Sequence, residues 1–337
     1  MSKATRDLFC DPFLERAARL ERGPLQLLGG RFRFESNSRA LLRSVDSAYR
    51  DLPPHRLSPV VPRMRVGLQL TSSKPSGRRS EPQPLQMSSS AEWVAGATGS
   101  SNFVVVSAAE RSALVGVSAD MLRFPYHIRY ELIEFAVFTL AARVQGLVPL
   151  HAACVGRGGR GFVLMGASGS GKSTVSLQWL LHGFEFVSED STFVAPGSML
   201  ATGVANFVHV RSDSLHWIKS SKDVGAIRRS PVISRRSGVR KFEVDLRRGG
   251  FRLAPAPLAL SAVIFLSAQS AAGRPLLRPL SKGGILRRLA IAQPYAANQP
   301  GWPEFCRQVT QLGAFELRRG YHPLEAVTAL DNLLDAG

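Results

Sequence analysis

Gly166-Ala167-Ser168-Gly169-Ser170-Gly171-Lys172-Ser173-Thr174 matches G-x-x-x-x-G-K-[ST] without a gap. These residue types in this order suit one chemistry, the cradling of a polyphosphate. The glycines let the backbone curl so that successive N–H groups turn toward phosphate oxygens. Lys172 adds a mobile positive charge that can reach β- and γ-phosphates, and the Ser173 hydroxyl is placed to bind Mg²⁺, which prefers hard oxygen ligands. All nine residues are expected to line an ATP site. An apolar strand, Gly161 to Met165, runs into the loop, and Thr174 to Leu181 reads as a helix whose N-terminal dipole favours anions.

Downstream, His182-Gly-Phe-Glu-Phe-Val-Ser-Glu-Asp190 predicts a helix end near Gly183, a strand over Phe184 to Val187, and two acids at its tip. Carboxylates at the carboxyl end of a strand beside a phosphate loop lie where an open α/β sheet binds its ligand. Glu189 and Asp190 could hold Mg²⁺ or accept a proton from an attacking hydroxyl. Upstream, His151 could orient those acids or share a proton with the attacking group; it could equally be a strand-end histidine with a satisfied hydrogen bond. His182 fits helix capping and is assigned no chemistry.

Other users of phosphate loops leave marks that are missing here. There is no LSGGQ-like signature (Leu280-Ser-Lys-Gly-Gly284 is the nearest approach), no apolar strand ending in Asp-Glu, and no Asn/Thr-Lys-x-Asp guanine-reading motif. Transporter-type ATPases and GTPases are therefore disfavoured.

These residues need elements to position them. Apolar runs His151 to Val155 and Gly161 to Met165 around Gly156-Arg-Gly-Gly-Arg160 signal a hairpin. Tyr130 to Val144 has apolar residues at helical spacing. Ser261 to Ser267 brackets a continuous apolar strand, expected near the middle of a sheet. Lys282 to Ala292, Pro303 to Gln311 and Pro323 to Leu334 read as helices, and Ala314 to Arg318 as a strand. Earlier in the chain, Gly30 to Glu35 and Met64 to Leu70 alternate like strands, and Ser38 to Arg50 reads as an amphipathic helix. The stretches Asp51 to Pro62 and Thr71 to Ser90, rich in Pro or Ser, read as linkers or surface loops. The expected organisation is an N-terminal α+β region over 1–125 and an α/β domain with the phosphate loop over 126–337.

The chain has 337 residues, enough for two domains, and 43 Lys+Arg against 25 Asp+Glu give a net charge of +18. That excess favours anionic partners without choosing among them. Part of it lies in Arg211 to Arg252, with twelve Lys/Arg against four Asp/Glu. The segment could contact ATP phosphates or capture an acidic peptide, with Arg240 and Lys241 the best candidates beside the strand-like Phe242 to Leu246; it could also be solvated surface. Nucleic-acid binding lacks aromatic interleaving and any recognisable motif. Cys10, Cys154 and Cys306 lie too far apart for a metal-ligand spacing or a disulfide framework. Glu131, Glu134 and Arg143 interrupt the one apolar stretch near membrane-spanning length. Asp7, Asp11 and Glu15 interrupt any signal-peptide core. A soluble, cytoplasmic protein without a membrane span is expected.

Taken together, His151, the glycine-rich hairpin, the phosphate loop, the helix ending at Gly183 and the strand ending in paired acids resemble the HPr kinase/phosphorylase family. More closely, the chain is similar to the divergent HPr-kinase-related proteins of bacterial peptide-modification gene clusters. The resemblance is densest over 150–194 and weaker over 30–53 and in Gly320-Tyr-His-Pro-Leu-Glu-Ala-Val327. It implies a phosphate-loop core of the HPr-kinase/PEP-carboxykinase type with a mixed sheet, and a small α+β N-terminal region. It also implies ATP with Mg²⁺, and transfer of the γ-phosphate to a serine hydroxyl of a protein or peptide. On that reading Lys172, Asp190, Glu189 and His151 are the catalytic set, Ser173 and Asp190 the metal contacts, and a homo-oligomer is possible. Two departures stand out. The family's Asp-Asp is Glu189-Asp190 here, and the stretch Ala201 to Val210 has no counterpart of an acid that binds magnesium in the family. An ATP-binding regulatory or scaffold protein without catalysis therefore stays open, as does a nucleic-acid-stimulated ATPase.

Overall fold

The computed structural model describes residues 20–71, 81–90, 92–167, 169–234 and 236–336. Asp7, Cys10, Asp11, Glu15, residues 72–80 of the expected Ser/Pro-rich loop, Ser168 and Arg235 lie outside the described residues. The chain divides into two compact units. Met1–Pro24, Phe32–Ser47 and Met64–Val137 make one, and Leu25–Arg31, Ala48–Arg63 and Phe138–Gly337 the other. The division thus falls within a helix rather than at 125/126, and two N-terminal segments belong with the second unit.

The first sheet has the strands β1 (Leu20–Leu27), β2 (Gly30–Ser36), β3 (Arg63–Thr71), β4 (Gln86–Ser89), β5 (Trp93–Thr98), β6 (Asn102–Ser107) and β7 (Ser112–Ser118), in the order β1-β2-β3-β7-β6-β5-β4. The two alternating runs expected as strands are β2 and β3. Their apolar residues Phe32, Phe34, Met64, Val66 and Leu68 are buried, whereas Arg31, Arg33, Arg63 and Arg65 face solvent. Helix α1 (Arg39–Tyr49) buries Leu41 and Val45 on its apolar stripe. A π-helical segment, His127–Ile133, leads into α2 (Glu134–Gln145), which covers most of the helix expected from periodicity.

The second unit is α/β with a mixed sheet. Its elements are β8 (Val148–His151), β9 (Ala153–Arg157), β10 (Arg160–Met165), α3 (Lys172–Leu181), β11 (Glu185–Ser188), β12 (Ser191–Ala195), β13 (Leu200–Gly203), β14 (Phe207–Val210), α4 (Ser221–Arg228), β15 (Val232–Ser234), β16 (Arg240–Asp245), β17 (Leu258–Ser270), β18 (Leu277–Pro279), α5 (Lys282–Ala292), α6 (Trp302–Leu312), β19 (Ala314–Arg319) and α7 (Pro323–Asp335). The nine-stranded sheet runs β11-β9-β10-β17-β13-β12-β8, with β19 also on β17 and β18 on β19. β17 is central, as expected, and changes partner along its length. It pairs with β13 at Leu258 and Ala259 and with β19 from Val263 onward, while β10 runs parallel along its other side.

Both faces of this sheet are covered, which is why its central strands read as unbroken apolar runs rather than alternating ones. Phe162 and Leu164 face a core shared with Leu177, Trp179 and Leu180 of α3. Val163 and Met165 face a second core with Ile285, Leu289, Phe305 and Val309 of α5 and α6. Trp179 anchors the first core, stacked on Phe184 at 5.2 Å between ring centroids and next to Phe162 at 6.0 Å.

Two expectations change. His151 ends its own strand, β8, instead of opening the hairpin, which is β9–β10. The Pro-rich segment read as a linker is held by the second unit: His55, 6% exposed, has Nδ1 2.8 Å from Thr202 Oγ1 and Nε2 2.9 Å from the Ala254 carbonyl. The basic stretch, left open between a phosphate- or peptide-contacting segment and solvated surface, is built into α4, β15, β16 and a short 3₁₀ turn, Ser212–Trp217, with β16 falling where the alternation of Phe242 to Leu246 suggested a strand. Among the described residues no helix is long and apolar enough to cross a membrane. Cys154 and Cys306 are free thiols, and burial pushes the Cys306 thiol up to about 11.

Burial holds the His55 imidazole below its ordinary value of 6.5, outweighing the bond to Ala254. The unfolded chain therefore binds a proton that the folded chain resists, so the stability tied to His55 is full above 6.5 and lost as pH falls below it. Thermal melts should show the wild type losing more stability between about pH 7.5 and about pH 5 than His55→Gln does. Equal slopes would contradict this account.

Candidate functional site

The glycine-rich loop lies between β10 and α3, so strand, loop and helix occur in the order their residues suggest. Gly171 caps α3 at φ 95°, a left-handed conformation that side chains resist. Gly166 is needed for space: a Cβ there would lie 2.4 Å from Ser170 Oγ and 3.1 Å from Leu266 Cβ. Ser170 Oγ is itself buried without a hydrogen-bond partner among the described residues, an available donor inside the curl. The loop is thus a cradle that a side chain would fill, with the first turn of α3 at its base.

Lys172 turns to the strand tips. It is only 8% exposed, and its Nζ lies 3.1 Å from His151 Nε2 and 3.6 Å from Asp190 Oδ1. An ammonium group can only donate, so His151 Nε2 accepts and the imidazole carries its proton on Nδ1. Three residues expected to act together, drawn from β8, α3 and the turn after β11, therefore share one small space.

Backbone pairing brings the tips together. β8 and β12 are antiparallel, with His151 opposite Ser191, and the Ala152 amide donates to the Asp190 carbonyl at 3.1 Å. Below them Thr192 Oγ1 donates to the Ala152 carbonyl at 2.8 Å and lies 2.9 Å from Ser188 Oγ, a buried hydroxyl network bracing the acidic turn.

Glu189 is placed elsewhere. Its carboxylate is buried, and Oε2 accepts from the His209 backbone amide at 2.9 Å and from His209 Nδ1 at 2.8 Å. His209 Nε2 lies 3.7 Å from Glu243 Oε1, across the register that pairs β14 with β16. Glu189 thus ties the strand tip to the small β14-β16-β15 sheet, while Asp190, next in sequence, joins Lys172. The first turn of α3 meets the same segment, with Thr174 Oγ1 3.3 Å from Ser214 Oγ. His182 does what its position suggested: its Nδ1 donates to the Gln178 carbonyl at the end of α3.

Two residues that pattern-reading passed over hold His151. Gln293, buried just beyond α5, accepts from the His151 amide at 2.8 Å and donates to the His151 carbonyl at 3.2 Å. One side-chain amide thus serves as a neighbouring strand for β8, the last strand on that side of the sheet. The Tyr295 hydroxyl donates to Gln293 Oε1 at 3.0 Å, and burial pushes that phenol up to about 12 against the opposing influence of the His151 backbone. The only hint in the sequence was polar side chains, Gln293 and Tyr295, closely following an apolar helix.

Among the described residues no group of three or more His, Cys, Asp or Glu is arranged to hold a metal ion. A cation here would rest on the Ser173 hydroxyl and Asp190 together with phosphate oxygens and water, the sparse protein coordination usual for Mg²⁺. No protein-family model matches the chain, and a search of the curated proteins finds no match.

The Gln293 clamp can be tested directly. Gln293→Ala should cost about 1–3 kcal/mol in urea unfolding, as expected when buried backbone groups lose their partner. It should also speed hydrogen exchange at the His151 amide. Unchanged exchange at that amide would show that the clamp does not hold β8.

Proposed function

We propose that this chain is an ATP-dependent kinase of the HPr-kinase type, transferring a γ-phosphate to a serine hydroxyl of a protein or peptide. The observation that carries this reading is the Lys172 ammonium within reach of both His151 and Asp190. A cation of a phosphate-binding loop beside a carboxylate suits phosphoryl transfer to a hydroxyl, and the imidazole beside them can orient both.

On this reading the loop amides and Ser170 Oγ hold the phosphate chain, and Lys172 exchanges part of its hold on Asp190 for β- and γ-phosphate oxygens. That exchange leaves the Asp190 carboxylate able to accept the proton of an incoming hydroxyl. The acceptor oxygen bonds to Pγ while the bond from Pγ to the β-bridging oxygen breaks, and ADP leaves with that electron pair. His151, fixed by Gln293, orients Asp190 and Lys172 against each other. Mg²⁺, held by Ser173 and Asp190 when bound with the nucleotide, would neutralise part of the phosphate charge. Glu189 acts at one remove by fixing the turn that carries Asp190. Few groups suffice because positioning and charge neutralisation do most of the work in this reaction.

The test is transfer of label from γ-labelled ATP to candidate acceptor peptides. Lys172→Ala and Asp190→Asn should each lower transfer by about 10²-fold or more, in the range for loss of one proton-transfer or charge-stabilising group. Equal transfer by wild type and both variants would refute the assignment, and tight ATP binding with no transfer would favour a regulatory nucleotide-binding protein.

A further inference from the structure

The catalytic reading leaves one cation on the site's rim without a task. β14 presents alternate faces, as any strand does. Val208 and Val210 enter the core against Leu177, Trp179 and Leu180 of α3, so His209 turns the other way, onto Glu189. Arg211 follows in extended conformation, φ −79° and ψ 150°, and therefore leaves the strand on the His209 face, about 7 Å further along. Three residues later Ser214 touches Thr174 in the first turn of α3. Arg211 is thus bracketed by the partner of the acidic turn on one side and the start of the loop-bearing helix on the other.

Its guanidinium is already arranged as a fork. Nε lies 3.1 Å from Asp213 Oδ1 and Nη2 2.7 Å from Asp213 Oδ2, with both side chains more than half exposed. A solvent-exposed pair of this kind is readily exchanged for a stronger anion, and the two-pronged geometry that fits a carboxylate also fits two phosphate oxygens. A second cation stands nearby. Val210 pairs with Phe242 and His209 with Glu243, so continuing that register sets Lys241 opposite Arg211 on the same face. The register thus places both residues beside the end of β14 from which Ser214 reaches Thr174.

Resting on the ATP reading above, we propose that Arg211, backed by Lys241, grips the terminal phosphate of a nucleoside triphosphate in the glycine-rich loop. The site thereby distinguishes a triphosphate from a diphosphate. Lys172 neutralises charge from the strand-tip side, and the fork of Arg211 does so from the rim. Asp213 is the resting partner that keeps the fork extended before nucleotide arrives.

Calorimetric titration with MgATP and with MgADP tests this. Arg211→Ala should weaken MgATP binding about tenfold or more, leave MgADP within about twofold, and leave the thermal melt unchanged because the residue is exposed. Arg211→Lys should recover part of the difference but not all, since an ammonium lacks the fork. Lys241→Ala should weaken MgATP selectively by a smaller factor, and Asp213→Ala should leave MgATP binding undiminished. If Arg211→Ala keeps the wild-type preference, or loses both nucleotides equally, the assignment of Arg211 is wrong while the nucleotide site stands. If the wild type binds neither nucleotide, the ATP reading itself fails and takes this proposal with it.

Discussion

A nearly buried ammonium constrains the second unit more than any other group. A lysine with so little access to water needs partners for its charge, and Lys172 finds an imidazole and a carboxylate. Those partners come from separate strands, so the ends of β8 and β12 must meet beside the start of α3. The paired register of β8 with β12, the Ala152–Asp190 backbone bond and the Gln293 clamp all serve that meeting. Polar groups at this depth need partners to hold one shape, and backbone amides and buried hydroxyls supply several of them here, while Glu189 Oε1 is buried with no hydrogen-bond partner among the described residues.

Adjacent acids at the strand tip divide their duties. Asp190, half-buried, joins the lysine; Glu189, buried, reaches back to His209 and through it toward Glu243. Two carboxylates facing one cation would compete for it, and turning one of them onto an imidazole avoids that conflict. The second carboxylate also fastens the small sheet of β14, β16 and β15 to the tip. Within the stretch Ala201 to Val210, His209 stands between two carboxylates, Glu189 on the acidic turn and Glu243 across the ladder.

Much of this could be read in advance where chemistry and local spacing coincide. The loop between β10 and α3 needs spaced glycines and a lysine, and the helices from α5 to α7 declare themselves through apolar spacing and their first-turn residues, so both were legible. The alternating strands β2 and β3 were equally plain. What stayed hidden was set by distant partners. His151 looks like the first residue of a hairpin because Ala152 and Ala153 continue its apolar run; only pairing with Ser191 shows that it closes a different strand. Gln293 lies far along the chain from the histidine it grips. Pro53, Pro54, Pro59 and Pro62 marked a linker, yet the imidazole of His55 has its partners at Thr202 and Ala254. Glu189 and Asp190 are neighbours of like charge, and no periodicity says that one faces inward and the other toward the lysine.

The fork in the pairing of β17 has a consequence for how the molecule is made. Its leading end is satisfied by β13, already synthesised, but its trailing half waits for β19, which follows only after β18 and two helices. Until they emerge, the strand at the centre of the sheet offers a long apolar edge of open amides, the kind of edge that recruits other chains. Parallel pairs across such separations also form slowly. The loop and its lysine, translated before β19, therefore sit on an unfinished platform, and a chain cut before Ala314 is expected to aggregate through the open edge of β17.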